Sequence, residues 1–320
     1  MIALLKSHVE GNDREFLSVA MQAAAHEARL GHGSVAQQLR DLIDEAKRRS
    51  AGVQSRAGQL VVLEPRGDLA NLLSVQSPSL RLGDMALPEV LAGRLQRVLL
   101  EQRQQKKLHE HGLQPRRKLL FTGPPGSGKT MTASALAGEL HLPLFTIMLE
   151  GLITKFMGET AAKLRLVFDA IRQTQGVYLF DEFDALGAHR NQSNDVGEIR
   201  RVLNSFLQFL EKDTSSSLIV AATNHPEMLD KALFRRFDDV IEYQLPDAAL
   251  AAEILARKLA MYETAGVEWP LVFREAEGLS HSELARASEE AAKRAVLEGS
   301  TRIATEVLIA ALRERKAAAG

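Results

Sequence analysis

Leu119-Leu120-Phe121-Thr122-Gly123-Pro124-Pro125-Gly126-Ser127-Gly128-Lys129-Thr130-Met131 is the stretch whose reading decides the fold. Its apolar opening reads as a short buried strand, its Gly/Pro segment as a tight loop, and Lys129–Leu140 as a helix. A Gly-x-x-x-x-Gly-Lys-Thr run between a strand and a helix is the pattern of a phosphate cradle. Glycines let backbone N–H groups converge on phosphate oxygens without a Cβ in the way, and the helix N-terminus adds partial positive charge. Lys129 is expected to contact the β- and γ-phosphates of a nucleoside triphosphate, and the Thr130 hydroxyl to ligate Mg²⁺. Gly123 through Met131 is therefore the expected nucleotide-binding segment.

Outward from this loop, strand and helix patterns alternate. Leu144–Leu149, Val177–Phe180, Leu218–Ala222 and Val240–Tyr243 read as strands. Helices are expected near Thr160–Thr174 and Val196–Leu210. Short apolar strands separated by helices of ten to fifteen residues predict a parallel, doubly wound α/β sheet. Val177-Tyr178-Leu179-Phe180 runs into Asp181-Glu182. An acid at a strand end beside the cradle suits a Mg²⁺ shell, for Asp181. A second is placed to orient and deprotonate water in line with the γ-phosphate, for Glu182. Asp184 reads as structural. Leu218–Asn224 ends in a polar pair, and Asn224 is in range of the γ-phosphate or the attacking water. Arg235 and Arg236 stand at a helix end, where guanidinium groups suit transition-state charge far better than ammonium groups. No Asn-Lys-x-Asp segment for reading guanine is present.

Gly123–Thr130, Phe180–Asp184, Ala221–Asn224 and Ala232–Asp238, in that order and spacing, resemble the AAA family of ATPases, over about residues 83–315. The resemblance implies a P-loop NTPase with a five-stranded parallel sheet, a helical C-terminal lid, and sites at the interfaces of a hexameric ring. It places Asn224 at the first sensor position and Arg235 and Arg236 at finger positions that reach the next protomer's nucleotide. The adjacent arginine pair is similar to the branch with katanin, spastin and the ESCRT-disassembly ATPase; the chain also resembles compact bacterial AAA proteins. Lys155-Phe156-Met157-Gly158 falls where the family carries its pore loop, whose aromatic grips a threaded polypeptide. Gly187–Gly197 would be a second pore-facing loop. One departure is visible: where relatives often read Ser-Gly-Ala-Asp, this chain has Ser280-His281-Ser282-Glu283. His281 is then either a nucleoside contact or an exposed turn residue, and Arg286 either a lid sensor or a solvated arginine.

The rest of the sequence sets the frame. Residues 1–50 read as a small helical module for choosing a substrate or partner, 51–83 as a linker, 84–246 as the nucleotide-binding α/β domain and 247–320 as the lid. The 320 residues carry 40 Lys+Arg against 41 Asp+Glu. That balance excludes bulk attraction to nucleic acid or anionic membrane. Cysteine is absent, so no disulfide, thiolate metal site or cysteine nucleophile exists, and every catalytic role falls to other side chains. No apolar run approaches a membrane span and the N-terminal apolar stretch is too short for a secretory signal. Together these features predict a cytoplasmic location. Arg94–Lys118 nevertheless holds eight basic and two acidic side chains. It supports an alternative function, a non-threading ATP-dependent switch or scaffold acting on DNA or on a partner protein such as a protease. The first expectation is Mg²⁺-dependent ATP hydrolysis in a homo-oligomeric ring that remodels a protein substrate.

Overall fold

A computed structural model describes residues 67–152, 157–186, 196–229 and 231–319. The helical module expected at residues 1–50, the linker up to residue 66, Lys155 and Phe156 of the pore loop, and most of the second loop lie outside them.

The sheet has six strands: β1 (Leu73–Gln76), β2 (Lys118–Thr122), β3 (Leu144–Ile147), β4 (Val177–Phe180), β5 (Leu218–Thr223) and β6 (Asp239–Glu242). Their order across the sheet is β1-β3-β4-β5-β2-β6. The strands β3, β4, β5, β2 and β6 are parallel, as expected. The sixth is a correction. β1 pairs antiparallel with β3, Leu73 opposite Ile147, and it comes from the stretch read as linker. Four residues beside Ser77-Pro78-Ser79 give too short a pattern to be read locally; the open edge of β3 recruits them.

Packing against this sheet follows the period of two. Leu119 and Phe121 of β2 face one way, with Leu179, Val220 and the helices α1 (Glu89–Arg103) and α2 (Lys129–Leu140). Leu120 faces the other, with Tyr178, Phe180, Ile219 and the helices α3 (Met157–Gln173) and α4 (Val196–Lys212). α1 breaks at Gln104, and Gln105–Glu110 forms a separate turn of helix. One face of α4 packs as core, with Phe206 and Leu210 buried and Val202, Leu203 and Leu207 against them.

After Pro246 only helices follow: α5 (Ala248–Lys258), α6 (Trp269–Ala276), α7 (His281–Leu297) and α8 (Thr305–Ala319). Asp247 caps α5, its carboxylate accepting from Leu250 N at 2.8 Å. Leu250, Ile254, Leu255 and Leu259 form one buried stripe and meet Leu284, Ala287 and Ala291 of α7 in a core separate from the sheet's. Small alanines on α7 let the two helices approach closely. The α6 helix, with Trp269 and Phe273 stacked at 5.5 Å, was not foreseen.

Candidate active site

A cavity of about 450 Å³ lies where the loop after β2, the ends of β4 and β5, and helices α5 and α7 meet. The cradle residues Pro125 through Met131 line it, together with Asp181, Glu182 and Asn224. Gly123 and Pro124 stand behind the loop and hold Lys129, whose ammonium donates to both of their carbonyls at 2.8 Å. Lys129 is only 6% exposed. Burial pulls its pKa below the usual lysine range, and the carboxylates of Asp181 and Asp184 pull the other way. Gly128 opens α2 at φ +97° and Gly126 stands at φ +71°, where a side chain is strained. A Cβ on Gly126 would also crowd the Ser280 and Ser282 hydroxyls of the lid.

The two acids are aimed by their neighbours. Phe180 and Phe183 are fully buried on either side and both pack against Phe206, with ring centroids 5.0 and 4.7 Å away. Anchoring both flanks turns Asp181 and Glu182 outward. Asp181 Oδ2 accepts from Thr130 Oγ1 at 2.7 Å, bringing together the two side chains expected to share a metal. Glu182 is exposed and has φ +50°. A non-glycine residue in the left-handed region costs about 1–2 kcal/mol, and such strain collects at functional positions.

Asp184, read as structural, has a definite task. Its Oδ1 accepts from Thr223 Oγ1 at 2.9 Å and from Asn224 N at 3.2 Å. It therefore fixes the turn that presents Asn224 to the cavity. Asp184→Ala is expected to lower kcat about tenfold with little change in KM, since two hydrogen bonds to a carboxylate are lost while the cradle stays intact. Asp184→Asn keeps an acceptor oxygen and should recover most of the rate. Wild-type turnover in the alanine variant would show that Asp184 does not position Asn224.

Arg235 and Arg236 are exposed and do not line this cavity. Arg236 pairs with Glu211 at the end of α4; Arg235 has no ion-pair partner among the described residues. Met157 and Gly158 open α3, and Lys155 and Phe156 fall outside the described residues. His281 is a correction to the exposed-turn reading: it lines the cavity and both ring nitrogens are buried. Arg286 is exposed and away from the cavity, as a solvated arginine would be.

The structure also brings in residues that no motif marked: Met85 and Ala86 ahead of α1, and Ile254, Arg257 and Lys258 of α5. Arg257 reaches across to the Gly83 carbonyl at 2.7 Å. No local pattern signals them, because they become neighbours of the cradle only when the lid folds over it.

The basic segment is largely used internally. Arg94 pairs with Asp239, Arg103 with Glu139, Arg116 with Glu101 and Asp239, and Arg117 with the buried Asp213. Lys118 is 9% exposed. Arg97, Lys106 and Lys107 are left as scattered surface charge, too few for a phosphate-tracking groove. Among the described residues no helix is long and apolar enough to cross a membrane.

Residues 119–245 match the family described as ATPase family associated with various cellular activities (AAA). An uncharacterized AAA family ATPase of Sinorhizobium fredii, y4kL, is 34% identical over 305 residues, covering 93% of this chain and 89% of that one. The chain belongs to the AAA family of ATPases. It is a nucleotide-binding, ATP-hydrolysing enzyme. Other AAA relatives match a smaller part of themselves. The ATP-dependent zinc metalloprotease FtsH of Lancefieldella parvula is 37% identical over 234 residues, covering 70% of this chain and 36% of its own length. The proteasome-activating nucleotidase of Pyrococcus furiosus is 34% identical over 211 residues, covering 63% of this chain and 53% of its own. This chain thus spans about half or less of those two relatives. The crystal structure of the FIGL-1 AAA domain superposes with a TM-score of 0.62 at 21% identity, covering 80% of this chain and 89% of that domain. That likeness is one of fold.

Proposed function

We propose that this AAA ATPase works as a Mg²⁺-dependent, hexameric ring that couples ATP hydrolysis to remodelling or threading of a protein through a central pore. The observation that carries this reading is the division of the site. Cradle, acids and Asn224 share one cavity, while the two arginines that transition-state charge calls for lie outside it. A head-to-tail neighbour would supply them, and such heterologous contacts close into rings.

The roles follow from the geometry. The loop from Gly123 to Thr130 binds the phosphates, with Lys129 turning from its own loop carbonyls to the β- and γ-oxygens. Thr130 and Asp181, already 2.7 Å apart, fit Mg²⁺, which when bound neutralises phosphate charge. Glu182 accepts the proton of the attacking water. Asn224 holds that water or the γ-phosphate in line. Arg235 and Arg236 of one protomer stabilise the charge developing in the next protomer's site. The lid, resting on both cradle and base end, converts the nucleotide state into motion.

Lys155, Phe156, Met157 and Gly158 are the proposed substrate-gripping loop, and residues 1–50 the module that selects a protein substrate, an adaptor or a separate protease. The relatives FtsH and proteasome-activating nucleotidase are named for proteolysis and for activating a proteasome, which favours a protein over DNA as the substrate here. The ion pairs that occupy Arg94, Arg103, Arg116 and Arg117 weigh the same way. Phe156→Ala tests the threading reading. Basal ATP hydrolysis should stay near wild type, while unfolding of a tagged fluorescent reporter should fall about tenfold or more with loss of the aromatic's packing surface. Unchanged reporter unfolding would favour a switch or scaffold.

A further inference from the structure

His281 is the first residue of α7, held by a capping box in which Ser280 N donates to Glu283 Oε2 at 2.6 Å. The next residue ties the same turn to the phosphate loop: Ser282 N donates to the Gly126 carbonyl at 3.1 Å. The backbone of this turn is thus tied to the cradle by the Ser282–Gly126 bond, and the capping box holds its shape. Both of its ring nitrogens are buried, and neither has a hydrogen-bond partner among the described residues. The Ala86 backbone lies near enough to favour a charged ring but makes no aligned hydrogen bond with it; burial dominates and lowers the pKa of the imidazole. Buried polar atoms without partners are rare in native proteins and call for a ligand or water. The lid side of the same cavity carries Met85, Ala86, Ile254 and Ala285 together with the charged Asp84, Arg257 and Lys258. Apolar walls with a few polar groups suit a flat heteroaromatic base and its sugar.

We propose that His281 reads the nucleoside: an imidazole nitrogen hydrogen-bonds the base edge or a ribose hydroxyl of the nucleotide whose phosphates lie in the Gly123–Thr130 loop. The inference rests on the nucleotide reading of this site and deepens it. A neutral imidazole offers one donor and one acceptor, so it can serve either part of a nucleoside.

Calorimetric titrations of the full chain with Mg²⁺, using ADP and pyrophosphate as probes, separate the nucleoside from the phosphates. His281→Ala should weaken ADP about tenfold, the usual effect of losing one buried hydrogen bond, and leave pyrophosphate binding unchanged. His281→Asn should recover part of the loss. Two further arms identify the partner. If wild type discriminates against 2′-deoxy-ADP and His281→Ala does not, the ribose is the contact. If that pattern appears instead with inosine diphosphate, the base is. Equal ADP affinity in wild type and His281→Ala overturns the proposal. Equal losses of ADP and pyrophosphate also overturn it, because His281 would then only support the Ser282–Gly126 contact. A wild-type chain that binds pyrophosphate but no nucleoside diphosphate better would remove the nucleotide reading itself, and the role of His281 with it.

Discussion

Glu182→Gln is expected to lower ATP turnover by about 10²-fold or more, the typical worth of a positioned general base, with nucleotide affinity unchanged. Binding should survive because the cradle and Lys129 hold the phosphates, whereas Glu182 contributes no hydrogen bond to them. Stability should survive too. The residue sits at φ +50°, and glutamine carries the same left-handed strain at nearly the same volume, so melting temperatures should agree. Held in its ATP state, the variant should accumulate as a ring. Steady-state phosphate release, ATP binding and size-exclusion chromatography with ATP read the three effects. Turnover within a few-fold of wild type would remove Glu182 from the base position, leaving the strained backbone without that explanation.

Arg235→Ala combined with Arg236→Ala should cost about 10³-fold in assembly-stimulated hydrolysis, the lower range for a lost arginine finger, again with ATP binding retained. Neither arginine lines its own chain's cavity, so the proposed ring predicts that the loss is transmitted through a neighbour. Complementation decides this. Subunits lacking both arginines but keeping Glu182 are inactive alone, as are Glu182→Gln subunits that keep both arginines. Mixed rings regain activity if the arginines act in trans, since an intact Glu182 then faces a neighbour's intact arginines. A mixture no more active than its parts would place the arginines in their own subunit's chemistry. The single variants should differ. Arg236 is already paired with Glu211, so its release from that carboxylate is part of reaching a neighbour, whereas Arg235 is free of ion pairs among the described residues.

The strand–loop–helix of the cradle was legible because its requirements are local. A glycine-rich loop between strand and helix has to be contiguous for its N–H groups to converge, and all of it stands in residues 123–131. Asp181 and Glu182 were legible for a similar reason: an apolar strand ending in two acids delivers them to the same edge of a parallel sheet as the cradle. The function of Asp184 was not, since its partners Thr223 and Asn224 lie on a strand distant in sequence. Nor was β1, which exists as a strand because β3 leaves an unpaired edge for it to cover.

What the sequence by itself determined is the strand–loop–helix of the cradle and the family, since both depend on residues close together along the chain. The tertiary structure alone decided the end of the cavity away from the acids. Met85, Ala86, Ile254 and His281 come from three separate segments, and only lid closure over the cradle makes them one wall. It also decided what the basic stretch before the cradle is for. Side chains that look like a polyanion site in a linear reading are partnered by Asp213, Asp239, Glu101 and Glu139 once the helices pack. Charge along a chain is a local property, but its availability depends on the partners that folding brings within a few ångströms.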